Sequence, residues 1–121
     1  MGFKEPNLNA DDVDMDMGNM IFGFTPTHPG EVLKDEIEYR GIPQTRLAKQ
    51  MGMSYNILND ILNERRPVTT TTAMMFEAAL DVPADSLMYL QLKYNIQTAK
   101  KDNKFLTRLA EIRKVAAAAV L

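Results

Sequence analysis

The side chains that could do chemistry fall in one short stretch. Gln44, Ser54, Tyr55, Asn56, Asn59 and Asp60 are followed by the pair Arg65-Arg66. An Asn side chain can bond adenine through two hydrogen bonds, and an Asp can accept from the exocyclic amine of cytosine. A Tyr can reach a phosphate or lie against a thymine methyl. Gln44, with Thr45 and Arg46 beside it, can meet a phosphate through its side chain and backbone N–H, as helix starts do with anions. Arg46, Lys49, Arg65 and Arg66 can neutralise a phosphate backbone. This is the chemistry of reading a duplex, not of turning over a substrate. The chain has no Cys and one His, His28, no glycine pattern that cradles phosphates and no metal-ligand spacing. No enzyme, cofactor or metal site is therefore expected.

Such side chains are useful only if a rigid element holds them outward. Residues 43–67, PQTRLAKQMGMSYNILNDILNERRP, supply one. Gln44 to Met51 reads as a short helix with Leu47, Ala48 and Met51 on one face. Ala48 is small enough for a second helix to pack closely, and Gly52 provides a turn residue without bulk. Ser54 suits the N-cap of the next helix, whose Leu58, Ile61 and Leu62 face inward while Tyr55, Asn56, Asn59 and Asp60 face out. Helix, tight turn and a second helix with a polar start is the spacing of a helix-turn-helix, which presents one helix end to the major groove. Singly, each polar residue is ordinary solvated surface. The reading rests on the combination in order.

The flanking segments read as support. His28-Pro29 opens a helix, with Pro at its first position and Glu31 and Asp35 near its positive end. Val32, Leu33 and Ile37 form its inward stripe, and Gly41 ends it. His28 is expected to be structural. Pro67 terminates the recognition helix. Thr69 or Thr70 caps a fourth helix, with Met74, Met75, Ala78, Ala79 and Leu80 available for burial. Asp81-Val82-Pro83 is a break, and a fifth helix from Ala84 carries Leu87, Met88, Leu90, Leu92 and Tyr94. From Asp102 onward, Phe105, Leu109, Ile112 and Ala116 fall at helical spacing. The nine Met are expected mainly to fill the core. No segment alternates like a strand, so an all-α protein of five or six helices is expected.

Charge is divided along the chain. The net charge of −2 is unusual for a DNA binder. Residues 1–27 carry Glu5, Asp11, Asp12, Asp14 and Asp16 against Lys4 alone, a net of −4, leaving 28–121 weakly basic at +2. Strong nonspecific affinity for phosphate is not indicated, so the basic footprint must be local. Residues 1–27 read as an acidic, mobile or loosely docked arm: either a disordered leader or a segment that orders on a partner through Met15, Met17, Met20, Ile21, Phe22 and Phe24. Residues 28–101 read as the DNA-binding domain and 102–121 as an amphipathic C-terminal helix. No membrane-spanning run or signal peptide is evident, and absent Cys fits a reducing compartment. A cytoplasmic protein is expected.

THPGEVLKDEI, QTRLAKQMGMSYNILNDILNERRPVTTTTAMMFEAAL and LMYLQLKYNIQTAKK resemble the HigA-type antitoxins, also called virulence-associated protein I, of the Xre-type helix-turn-helix proteins. The resemblance covers about residues 27–101 and includes His28-Pro29-Gly30-Glu31 and Leu90-Gln91 with Tyr94. It implies a lambda-repressor-like five- to six-helix bundle and a homodimeric repressor of its own promoter, bound at a palindromic operator. It also implies a protein partner, a RelE-like mRNA interferase toxin. Carried over by position, DNA contacts fall on Gln44, Ser54, Tyr55, Asn56, Asn59 and Arg65, and dimer contacts on the fifth helix and the residues after it. The chain departs from the pattern in three ways. Its recognition helix has Asp60 and no Lys or Arg, Arg65-Arg66 stands where members often have Gly-Lys-Arg, and the acidic arm lies outside the match. Alternatives are an inhibitor that binds protein only, or a stand-alone Xre-type regulator.

Overall fold

The helix boundaries follow from caps written into the sequence. In the computed structural model, residues 27–120 are described; the expectation for the arm therefore lies outside the described residues, apart from Thr27. Six helices and no strand occur among them: α1 (Pro29–Arg40), α2 (Gln44–Gln50), α3 (Tyr55–Leu62), α4 (Thr70–Leu80), α5 (Ala84–Ala99) and α6 (Asn103–Val120). This is the all-α helix-turn-helix bundle that the sequence implies.

His28 caps α1 by accepting from the Gly30 N–H at Nδ1, 2.9 Å, and Pro29 takes the first helical position. Ser54 caps α3, its Oγ accepting from the Ile57 N–H at 3.1 Å. Thr69 and Thr72 cap α4 reciprocally, each hydroxyl accepting from the other residue's backbone N–H. Asp102 Oδ1 accepts from the N–H groups of Lys104 and Phe105 at the start of α6.

The helix ends are as informative. Gly41 (φ 68°) and Gly52 (φ 67°) are left-handed. Around each, paired bonds close the helix: Gly41 N–H to Glu38 O with Ile42 N–H to Ile37 O, and Gly52 N–H to Lys49 O with Met53 N–H to Ala48 O. The end of α3 repeats the motif, with Glu64 N–H to Ile61 O and Arg65 N–H to Asp60 O. There the left-handed position is held by Glu64 (φ 65°) rather than glycine.

The core is Leu33 and Ile37 of α1, Leu47 and Ala48 of α2, Leu58, Ile61 and Leu62 of α3, Val68, then Ala73, Phe76 and Leu80 of α4 and Leu87 of α5. α3 packs against both α1 and α2, and α5 against α4 and α1. Three expectations are corrected. In α1, Val32 is 39% exposed, because the buried face is Pro29, Gly30, Leu33 and Ile37, and position 32 lies on the other side of the helix. In α4 the inward face is Ala73, Phe76 and Leu80, while Met74, Ala78 and Ala79 are exposed. α4 has apolar residues around much of its circumference, and the bulk of Phe76 decides which side is buried. None of the described Met residues is fully buried. Met51, Met53 and Met88 pack around the rim of the core instead.

Gln91, on α5, is 4% exposed. Its Oε1 accepts from the Val68 N–H at 2.8 Å and its Nε2 donates to Asn95 Oδ1 at 2.8 Å. It thereby ties the loop behind α3 to α5. Gln91→Leu keeps the volume but leaves the Val68 N–H buried and unpaired, which costs about 1–3 kcal/mol. The urea midpoint should fall with an unchanged denaturant slope.

Candidate nucleic-acid interface

α2 and α3 are held at a fixed separation by Leu47 and Ala48 on one side and Leu58 and Ile61 on the other, all at most 2% exposed. That packing leaves the first turn of α3 on the surface. Ser54, Tyr55 and Asn56 are exposed, and Tyr55 is 45% exposed. At the start of α2, Thr45 and Arg46 are exposed and Gln44 is half-buried. No side chain caps α2, which leaves the backbone N–H groups of its first turn without a side-chain partner and with the helix dipole behind them.

A hydrogen-bond chain joins the two helix starts. Asn59 Nδ2 donates to Gln44 Oε1 at 3.2 Å and lies 3.5 Å from the Tyr55 hydroxyl. Asn59 Oδ1 accepts from Arg65 Nη2 at 2.9 Å. Arg65 Nε donates to Asp60 Oδ1 at 3.1 Å, and Arg66 Nη2 lies 3.8 Å from Asp60 Oδ2. Gln44, Tyr55, Asn59, Asp60, Arg65 and Arg66 thus form one connected polar surface. Asn56, Thr45 and Arg46 stand outside it, and Ser54 is occupied as a cap.

This network divides the work among the candidates. Asn56 has no side-chain partner among the described residues and is exposed; its amide is free to bond a base edge. Asn59 is half-buried with both ends of its amide engaged, so it orients Gln44 and Arg65. Asp60 faces two guanidinium groups, which places its carboxylate as their counter-charge. The arginine pairs are exposed and individually weak, so a phosphate can compete for them. Sequence reading did not find the Asn59–Gln44 bridge, which spans fifteen positions; no local signal marks it.

His28 is 3% exposed, its ring edge-on to Tyr94 with centroids 4.8 Å apart. It is a cap and a packing residue, as the sequence suggests. Burial lowers its pKa below the ordinary 6.5, with Glu64 acting in the opposite sense. Nδ1 must stay unprotonated to accept from Gly30. The neutral form is thus favoured on folding, and below 6.5 the unfolded chain takes up the proton first. The stability this contributes is present above the unfolded value and is lost as pH falls from it toward the lowered folded one. His28→Asn, which caps without titrating, should flatten the dependence of thermal midpoint on pH across that window. Parallel slopes for wild type and variant would contradict this.

The comparisons agree with the geometry. The helix-turn-helix family matches residues 33–87. Virulence-associated protein I of Dichelobacter nodosus is 31% identical over 78 residues, 64% of this chain and 72% of that protein. An addiction module antidote protein of the HigA family from Coxiella burnetii superimposes with a TM-score of 0.62 at 30% identity, covering 70% of this chain and 95% of that one. The antitoxin HigA of Pseudomonas aeruginosa, whose structure was determined with the higBA promoter, gives a TM-score of 0.61 at 34% identity, over 65% and 87% of the two chains. Two of these three are antidote or antitoxin proteins by name. The chain belongs to the helix-turn-helix family of virulence-associated protein I and the HigA-type antitoxins.

Proposed function

We propose that this chain is a cytoplasmic, sequence-specific transcriptional repressor and the antitoxin of a type II toxin–antitoxin module. It binds a palindromic operator as a homodimer, represses its own operon and neutralises a RelE-like mRNA interferase. One observation carries the DNA reading: the exposed start of α3, Ser54 to Asn56, lies beside the start of α2 and is linked to it through Asn59 and Gln44. A relative captured with its promoter supports it. Residues 28–101 supply this unit and 102–121 extend it.

Roles follow from the side chains. Asn56 reads a base, with Tyr55 beside it. Gln44, Thr45 and Arg46 hold a phosphate at the start of α2. Arg65 and Arg66 turn from Asp60 toward the backbone, with Asn59 orienting Arg65. For the dimer, α5 offers Tyr89, Leu92 and Ile96 on one exposed face, at 59%, 54% and 37% exposure. Pairing sets two α3 starts one helical turn apart and raises the apparent affinity of a weak half-site.

Arg65→Ala should weaken binding to all duplexes alike and lower the salt dependence of log K by about one charge. An anisotropy titration at several salt concentrations reads both. The antitoxin half is tested by co-expression with the product of the adjacent reading frame, which this reading requires to be RelE-like. Relief of growth arrest and co-purification are expected; persistent arrest with no complex removes that half. Asp60, which supplies negative charge within the candidate groove face, favours a second reading, an inhibitor that binds protein only. That reading requires toxin binding with no retarded DNA complex at low salt.

A further inference from the structure

α6 carries an apolar stripe that nothing covers among the described residues. Phe105, Leu109, Ile112 and Ala116 recur at helical spacing along its 18 residues. Leu109 is half-buried, but Phe105 is 44% and Ile112 51% exposed. Exposed apolar surface of this length on a helix marks a contact site. At about 100° per residue, Arg108 and Arg113 border the stripe on opposite sides. With Lys104 and Lys114 against Glu111 alone, the helix has a net charge of +3. None of these four cations forms an ion pair among the described residues.

We infer that residues 1–26 of the same chain dock along α6, with Met20, Ile21, Phe22 and Phe24 on the stripe and the four Asp of positions 11–16 against its cations. Three observations select this occupant. The first is charge: residues 1–26 carry a net −4, whereas a second α6 would set cation against cation. The second is composition, since a Met- and Phe-rich run suits an irregular apolar surface. The third is position. His28, the second residue after this segment, packs on Tyr94 of α5, and three residues separate the end of α5 from the start of α6. Reach is not limiting. An α-helix of 18 residues is about 27 Å long, and 26 extended residues span up to roughly 85 Å.

The full chain has no Cys, so Asn19→Cys gives a single site for a nitroxide label. The expected result is paramagnetic broadening of the α6 amides, centred on Phe105 to Ile112, independent of protein concentration. It should vanish in R108E/R113E, two exposed positions whose change spares the core, and return when Asp12 and Asp14 are also made Lys. In a mixture of isotope-labelled chain without nitroxide and unlabelled chain with it, the α6 signals should stay sharp. Absence of broadening from α6 in the labelled chain would overturn the inference. So would broadening that occurs in the mixture, which would mean the arm crosses to a second copy.

Discussion

Gly30→Ala should destabilise the protein by about 3 kcal/mol or more, although it adds only a methyl group. A Cβ at position 30 would lie 2.0 Å from the Ile61 carbonyl oxygen and 3.0 Å from His28 Nδ1. Two effects oppose. Alanine is favoured over glycine in a helix by about 1 kcal/mol. Against that, a sub-van-der-Waals contact with backbone cannot be relieved by a side-chain rotation, so α1 must move off α3. The steric cost wins because α1 and α3 meet through Leu33, Ile37, Leu58 and Ile61, all at most 1% exposed. For a domain of this size the thermal midpoint should fall by roughly 12–24 °C. A change of a few degrees would show that α1 and α3 do not approach through Gly30. Because Ile61 is on the recognition helix, any surviving fold should also bind DNA less well.

Asn56→Ala should reduce affinity for the operator by about 1–3 kcal/mol, roughly 5- to 150-fold, while affinity for unrelated duplex stays nearly constant. The side chain is exposed and bonded to nothing among the described residues, so the thermal midpoint should not move. That pairing of outcomes separates a base reader from a structural residue. Equal loss on operator and unrelated DNA would assign Asn56 to the backbone instead. Asn59→Ala is expected to differ, because its loss releases both Gln44 and Arg65. It should lower affinity on every sequence.

The local parts of this architecture are legible in the residues. His28-Pro29, Ser54, Thr69, Gly41 and Gly52 act within a few positions of themselves, and each sits in the structure where its chemistry places it. The helix-turn-helix and its outward face follow from them. What sequence reading missed is non-local. Gln91 reaches Val68 across 23 positions, and Asn59 reaches Gln44 across fifteen. Gly30 looks like a permissive residue in the first turn, and only the fold reveals the carbonyl against it. The inward face of α4 could not be chosen from Ala73 to Leu80, where apolar residues occur on several sides. The His-Pro-Gly-Glu and Leu-Gln-x-x-Tyr signatures now have a common physical basis: His28, Gly30, Gln91 and Tyr94 join α1, α3 and α5 behind the recognition helix.

Positional meaning also changed for Asp60 and Arg65. Read singly, one is a cytosine acceptor and the other a phosphate contact. In the fold they face each other, with Arg66 adjacent. Asp60 thereby holds two cations at the candidate interface while reducing their nonspecific pull. This agrees with the weakly basic balance of residues 28–121: on the proposed function, specificity rests on few contacts and on pairing of two subunits, not on bulk charge.

The most direct measurement is a titration of the purified full chain against the duplex immediately upstream of its own reading frame, beside a scrambled duplex of the same length and composition, at fixed physiological salt. The outward-facing α3 start predicts a specific complex at least ~10³-fold tighter than the scrambled control, protected in two half-sites about one helical turn apart. Equal affinity for the two duplexes, or no complex even at low salt, would contradict it.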